Sequence, residues 1–244
     1  MREHHQRGFT LIEVAIALVI IGLMISYALP IQTAISQQAA KTKSEQLVSK
    51  ISQSLIKFSI RHHRLPCIDS TQDGYENCSS TTTVGSVPFN TIMMETPGAI
   101  SAFNSGINSV LYSAYRNSAA TADLAVASDI SGDSIVTVDD LVRKLNNAIN
   151  TSKSNNYTYV TGDNKTAGVE NCASNNVSNI AFALAHGGGA DRDGDLRQFD
   201  LVNSVLSAGT GQCFASPLRA EDAVYDDTVL AVSFTNMLGH IGSY

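Results

Sequence analysis

The chain has 244 residues, 43% of them hydrophobic, with a mean hydropathy of +0.01 and a formal net charge of −6. That is long enough to bury a real core and too apolar for a disordered chain. Charge divides along the sequence: residues 1–64 carry eight Lys/Arg against three acids, a balance of +5, while residues 65–244 carry eight against nineteen, a balance of −11. An acidic bulk with no Trp and no Lys/Arg run excludes a nucleic-acid binder that works through phosphate contacts.

The first element is an apolar run, Phe9 to Leu29, whose single charge is Glu13. As a helix rising 1.5 Å per residue it would be roughly 31 Å long, the hydrocarbon thickness of a bilayer. Arg2 and Arg7 in the short segment before it favour a cytoplasmic N-terminus and place everything beyond Leu29 on the other side. Tyr27-Ala28-Leu29-Pro30 makes a poor secretory cleavage site, which puts the processing signal ahead of the apolar run.

The residues Gly8-Phe9-Thr10-Leu11-Ile12-Glu13-Val14 resemble the class III signal of type IV pilins and type II secretion pseudopilins. The resemblance implies that a prepilin peptidase cuts between Gly8 and Phe9 and methylates the new amino group of Phe9. It implies that Glu13 pairs with the free amino group of a neighbouring subunit's Phe9, and that Pro30 is the helix-kinking proline. A carboxylate in a hydrocarbon span costs on the order of 2.5–3.5 kcal/mol unless something pairs with it, so a partner for Glu13 is physically expected. The alternative is a protonated Glu tolerated near a helix end.

Beyond Pro30 the pattern becomes amphipathic. Leu47, Ile51, Leu55 and Phe58 recur at helical spacing while Lys41, Lys43, Glu45, Lys50 and Lys57 take other faces. Pro66 is the expected stop. The expected organisation is a leader (1–8), a membrane and assembly helix (9–29), its amphipathic continuation (30–64) and an extracytoplasmic head (65–244).

In the head, strands are expected at Ser86–Phe89, Val110–Tyr115, Tyr157–Val160, Ile180–Leu184 and Val229–Phe234, and a helix at Asp139–Ile149. The fold class is therefore α+β, a long helix laid on an antiparallel sheet, which is also what the pilin resemblance implies. Cys67, Cys78, Cys172 and Cys213 all lie in the head, outside the cytoplasm, where disulfides persist. Four cysteines allow three pairings, of which Cys67–Cys78 with Cys172–Cys213 is favoured. No CxxC supports zinc.

Three acidic loops follow the order of calcium ligands. In the best of them Asp129, Ser131, Asp133, Ile135 (through its carbonyl), Thr137 and Asp140 take positions 1, 3, 5, 7, 9 and 12 of an EF-hand-like loop, and Asp at position 12 is similar to a dockerin loop. Ser134 stands where Gly is usual, because the turn needs a positive φ. The alternative is an acidic turn in which Ser128 or Asp139 caps the following helix. Asp69-Ser-Thr-Gln-Asp73-Gly74-Tyr-Glu76 has no carboxylate at position 12, and Asp191-Arg-Asp193-Gly-Asp195, followed by Asp200, has arginines that could neutralise it. Calcium is the one cofactor expected.

Within the head, Leu65-Pro66-Cys67, Asp73-Gly74-Tyr75-Glu76, Val84-Gly85-Ser86-Val87-Pro88, Ala185-His186-Gly187 and Asp226-Asp227-Thr228-Val229 resemble blocks of a subgroup of large prepilin-type proteins. Residues 129–150 then read as an insertion. No GxSxG elbow occurs, and Gly187–Gly189 is not followed by a Lys and a helix, so neither nucleophilic nor phosphate-loop chemistry is expected. The whole sequence reads as a structural subunit, a minor pilin or pseudopilin. Its expected partners are the peptidase, sibling subunits and, before assembly, inner-membrane lipid, with the head in the periplasm. A tip adhesin, a cargo-binding module or a membrane-anchored enzyme are the alternatives.

Overall fold

The computed structural model describes residues 10–80, 82–98, 109–152, 157–161, 172, 176–207 and 212–242; the side chains of 27–34 lie outside that description. The chain forms two compact units, Met1–Ala39 and Ala40–Tyr244. Helix α1 (Leu11–His62) contributes to both.

In the first unit the described residues Thr10–Ser26 are exposed, including Leu11, Ile12, Leu18, Leu23 and Met24. The second unit is organised around two sheets. β1 (Gly85–Ser86), β2 (Val110–Ala114), β5 (Ile180–His186) and β7 (Thr228–Ser233) form an antiparallel sheet in the order β1-β2-β5-β7. All seven residues of β5 are buried, which is why Ile180-Ala-Phe-Ala-Leu-Ala-His186 reads as an unbroken run of small and apolar residues rather than an alternation. β3 (Tyr159–Thr161), β4 (Asn176–Val177) and β6 (Cys213–Phe214) form a second sheet in the order β4-β3-β6. The larger sheet is the antiparallel sheet expected of the head, whereas in the smaller one β3 and β6 run parallel.

Each face of the larger sheet has its own core. Tyr112, Ala114, Phe182 and Leu184 pack with Ile51 and Leu55 of α1, with Leu141 and Leu145 of α2 (Val138–Asn150), and with Phe234 and Met237 of α4 (Phe234–Ile241). Leu111, Ala183 and Ala185 pack on the other face with Val160, Phe214, Phe199 and Leu206, the last in α3 (Leu201–Ser207). The second sheet and α3 add a further layer to the expected helix laid on a sheet.

Several element boundaries differ for local reasons. Helix α1 ends at His62, where His63 takes a left-handed φ of 57°, before Pro66 can act as the stop. Its buried face runs through Ser44, Val48, Ile51, Leu55 and Phe58, so Val48 replaces the half-buried Leu47. Phe234 opens α4 instead of closing a strand, because the Ser233 side chain accepts a hydrogen bond from the Asn236 N–H and caps the helix.

Candidate functional site

Two regions carry the residues singled out by sequence. Gly8 and Phe9 lie outside the described residues, as does the side chain of Pro30, although α1 continues through position 30. Glu13 is described. Its Oε2 accepts hydrogen bonds from the Thr10 N–H at 3.0 Å and from the Thr10 hydroxyl at 2.9 Å, and the Glu13 N–H donates to Thr10 Oγ1 at 3.4 Å. This is a reciprocal capping box at the start of the helix, and its signal, Thr-x-x-Glu, stands in the sequence unremarked. Among the described residues no helix is long and apolar enough to cross a membrane; the expected span, 9–29, extends past them at Phe9 and past the described side chains at 27–29.

The head holds two disulfides, Cys67–Cys78 and Cys172–Cys213. The first closes the loop containing Asp69, and Glu76 within it makes two 2.6 Å contacts to the Arg64 guanidinium and accepts from the Cys67 N–H. That ion pair holds the Glu76 carboxyl below its ordinary value against the cost of burial.

The three acidic loops share one backbone. In each, the first Asp accepts from the N–H groups three and five residues on, and the Asp at position 5 accepts from the N–H two residues on. Asp69 is bonded by Gln72 and Gly74, with Asp73 bonded by Tyr75. Asp129 is bonded by Gly132 and Ser134, with Asp133 bonded by Ile135. Asp191 is bonded by Gly194 and Leu196, with Asp195 bonded by Arg197. Positions 4 and 6 are left-handed throughout, and Ser134 at φ 69° and Leu196 at φ 63° adopt this without the freedom of glycine. One local fold is thus built three times, a repeat without a sequence period.

The loops part company in what lies around them. In the 129–140 loop, Asp140 accepts from the N–H groups of Ile130, Ser131 and Thr137, which hold its carboxyl well below the usual carboxylate range. Thr137, not Ser128 or Asp139, is the residue that starts α2, in a capping box with Asp140, and Asp139 turns outward to Arg143 at 2.7 Å. Among the described residues, Asp129, Asp133 and Asp140 do not converge as a group of metal-ready carboxylates. Ser131 and Thr137 use their hydroxyls on Asp129 and Asp140.

Around the 191–200 loop, by contrast, two triads converge and share Asp200. They are Asp191 with Asp193 and Asp200, and Asp200 with Asp226 and Asp227, each with oxygens within 4.8 Å of one another. Asp200 accepts from the Arg192 N–H at 3.0 Å and the Asp226 N–H at 2.8 Å, while Asp227 accepts from Gly188, Asp200 and the Asn203 amide. Burial pushes the Asp200, Asp226 and Asp227 carboxyls up, and for Asp227 the charge of Asp200 adds to it. Arg192 reaches Asp226 Oδ2 at 3.3 Å and Glu221 at 3.6 Å. A cavity of about 330 Å³ opens beside them, lined among others by Lys41, Glu45, Arg219, Glu221, Asp226 and Asp227. The remaining trio, Cys67, Glu76 and Cys78, has both thiols spent in the disulfide. In the sequence Asp226 and Asp227 stand only within the Asp226-Asp227-Thr228-Val229 block, because Asp200 lies 26 residues before Asp226 along the chain.

The family model of the prokaryotic N-terminal methylation motif matches residues 4–29. The chain carries that motif. Competence protein ComGC of Halalkalibacterium halodurans is 38% identical over 63 residues, covering 26% of this chain and 62% of that protein. The match therefore spans less than two thirds of the relative's length. No solved structure matches the chain. The methylation motif coincides with the segment read above as a pilin-type signal, and with the capping box of Thr10 and Glu13 inside it.

Proposed function

We propose that this chain is a structural subunit, a minor pilin or pseudopilin, of a type IV pilus or type II secretion filament. The observation that carries the reading is the N-terminal methylation motif at residues 4–29, leading into an exposed apolar helix that begins at Leu11. Prepilin peptidase would remove residues 1–8 and methylate Phe9. Before assembly the apolar residues of 9–29 would lie in inner-membrane lipid with the head in the periplasm. In the filament, the same residues would be buried among copies of the helix.

Glu13 has a defined part in this scheme. Thr10 bonds one oxygen of its carboxylate within the subunit, so an incoming amino group of Phe9 from a neighbour would compete with a local hydrogen bond for that oxygen. A Glu13→Ala chain co-expressed with its peptidase should still lose residues 1–8, as read by intact mass, and should fail to enter sheared filaments. Normal incorporation of Glu13→Ala would remove the assembly role.

A further inference from the structure

The geometry points to a hard divalent cation, calcium being the one that fits, held by Asp200, Asp226 and Asp227 between the loop at 187–200 and the start of β7. Oxygens of these three carboxylates lie within 4.8 Å of one another, and two oxygens on opposite sides of a calcium ion are about 4.8 Å apart at bond lengths near 2.4 Å. Every candidate ligand is a carboxylate oxygen, a donor set that selects calcium or magnesium over zinc or copper.

Asp226 supplies the independent sign of a missing partner. Its side chain is 5% exposed, and its Oδ2 accepts from the Gly189 N–H at 3.1 Å, the Ala190 N–H at 3.2 Å and Arg192 Nε at 3.3 Å. Its Oδ1 is buried and has no hydrogen-bond partner. Buried polar atoms without a partner are rare, and a buried carboxylate is stabilised either by a cation or by a proton. Arg192, which contacts Asp226, also contacts Glu221. Gly188 belongs to the same construction: a Cβ there would stand 1.5 Å from Asp226 Oδ1, so this close approach of the backbone requires glycine.

Asp226 and Asp227 also line the 330 Å³ cavity, which gives an ion a route in from solvent. Asp191 and Asp193, both partly exposed, also converge on Asp200 and extend the group of carboxylates. An ion here ties the third acidic loop to the sheet.

The test uses the full-length chain in detergent, stripped with EGTA and titrated with calcium chloride by calorimetry, with melting temperature followed in parallel. Calcium uptake is expected, with a higher melting temperature, an affinity at least tenfold weaker in Asp226→Asn, and no change in Asp129→Asn. Absence of uptake overturns the proposal, as does wild-type affinity in Asp226→Asn or loss of binding in Asp129→Asn. A melting temperature that responds to pH but not to calcium means that the carboxylates share protons, and overturns it equally. Should Asp226→Asn fail to fold, terbium replaces calcium. Tyr225, whose hydroxyl lies 3.5 Å from the Asn203 amide that donates to Asp227, should sensitise terbium emission, so Tyr225→Phe should reduce it severalfold. Unchanged emission places the ion elsewhere.

Discussion

At the scale of single residues, burial decides more than residue type. His186 closes β5 fully buried, and loss of hydration lowers its pKa from 6.5 to about 4. The folded state therefore resists protonation that the unfolded chain accepts. The contribution is intact above pH 6.5 and is lost as pH falls toward 4, on the order of 3 kcal/mol across that window. Asp200, Asp226 and Asp227, whose carboxyls are pushed up, act with the opposite sign over part of the same range, so the single-variant difference is what isolates the histidine. The melting temperature of the wild type should fall more steeply below pH 6.5 than that of His186→Gln; parallel curves would show that His186 is not the group responsible. Lys144 makes the same point. In α2 it is fully buried with its ammonium on the Val126 carbonyl, and burial lowers its pKa.

At the scale of elements, helical spacing was legible where one face is apolar. Ile51, Leu55 and Phe58 are all buried, and α2 differs from the expected Asp139–Ile149 by one residue at each end. Leu55 is wholly enclosed between α1 and the sheet. Its truncation to Ala should cost about 2–5 kcal/mol, measured as a shift in the urea midpoint. A loss below 1 kcal/mol would mean that this part of α1 is not seated on the core. Strands β4 and β6, of two residues each, could not be read from sequence, because so short a run carries no period of its own. Their existence depends on partners: β6 on the parallel pairing with β3, and its first residue, Cys213, on the bond to Cys172.

At the scale of the molecule, the core lies within Ala40–Tyr244, and among the described residues the first fully buried apolar side chain is Val48. A fragment beginning at Ala40, with both disulfides formed, should unfold in one cooperative transition seen identically by near- and far-ultraviolet circular dichroism. Non-coincident transitions would show that the core needs residues 1–39. The opening charge division sharpens at this scale as well. The acids of the head are not an undifferentiated solvated surface: one group caps its own turns, and another gathers four carboxylates around that of Asp200.

By itself the sequence determined the methylation motif, the long N-terminal helix, the α+β class and the positions of three acidic loops. Each is a local pattern, written within a few turns of helix or one loop, and local spacing dictates it. Only the tertiary structure decided which acids meet. Asp191, Asp193, Asp200, Asp226 and Asp227 come from segments separated along the chain, and they converge because the loop after β5 folds back on the start of β7 through hydrogen bonds from Gly188, Gly189 and Ala190. Among the described residues the carboxylates of the 129–140 loop, which has the ligand order, do not form such a group; ligand order is a property of the chain, whereas convergence of charge is a property of the fold.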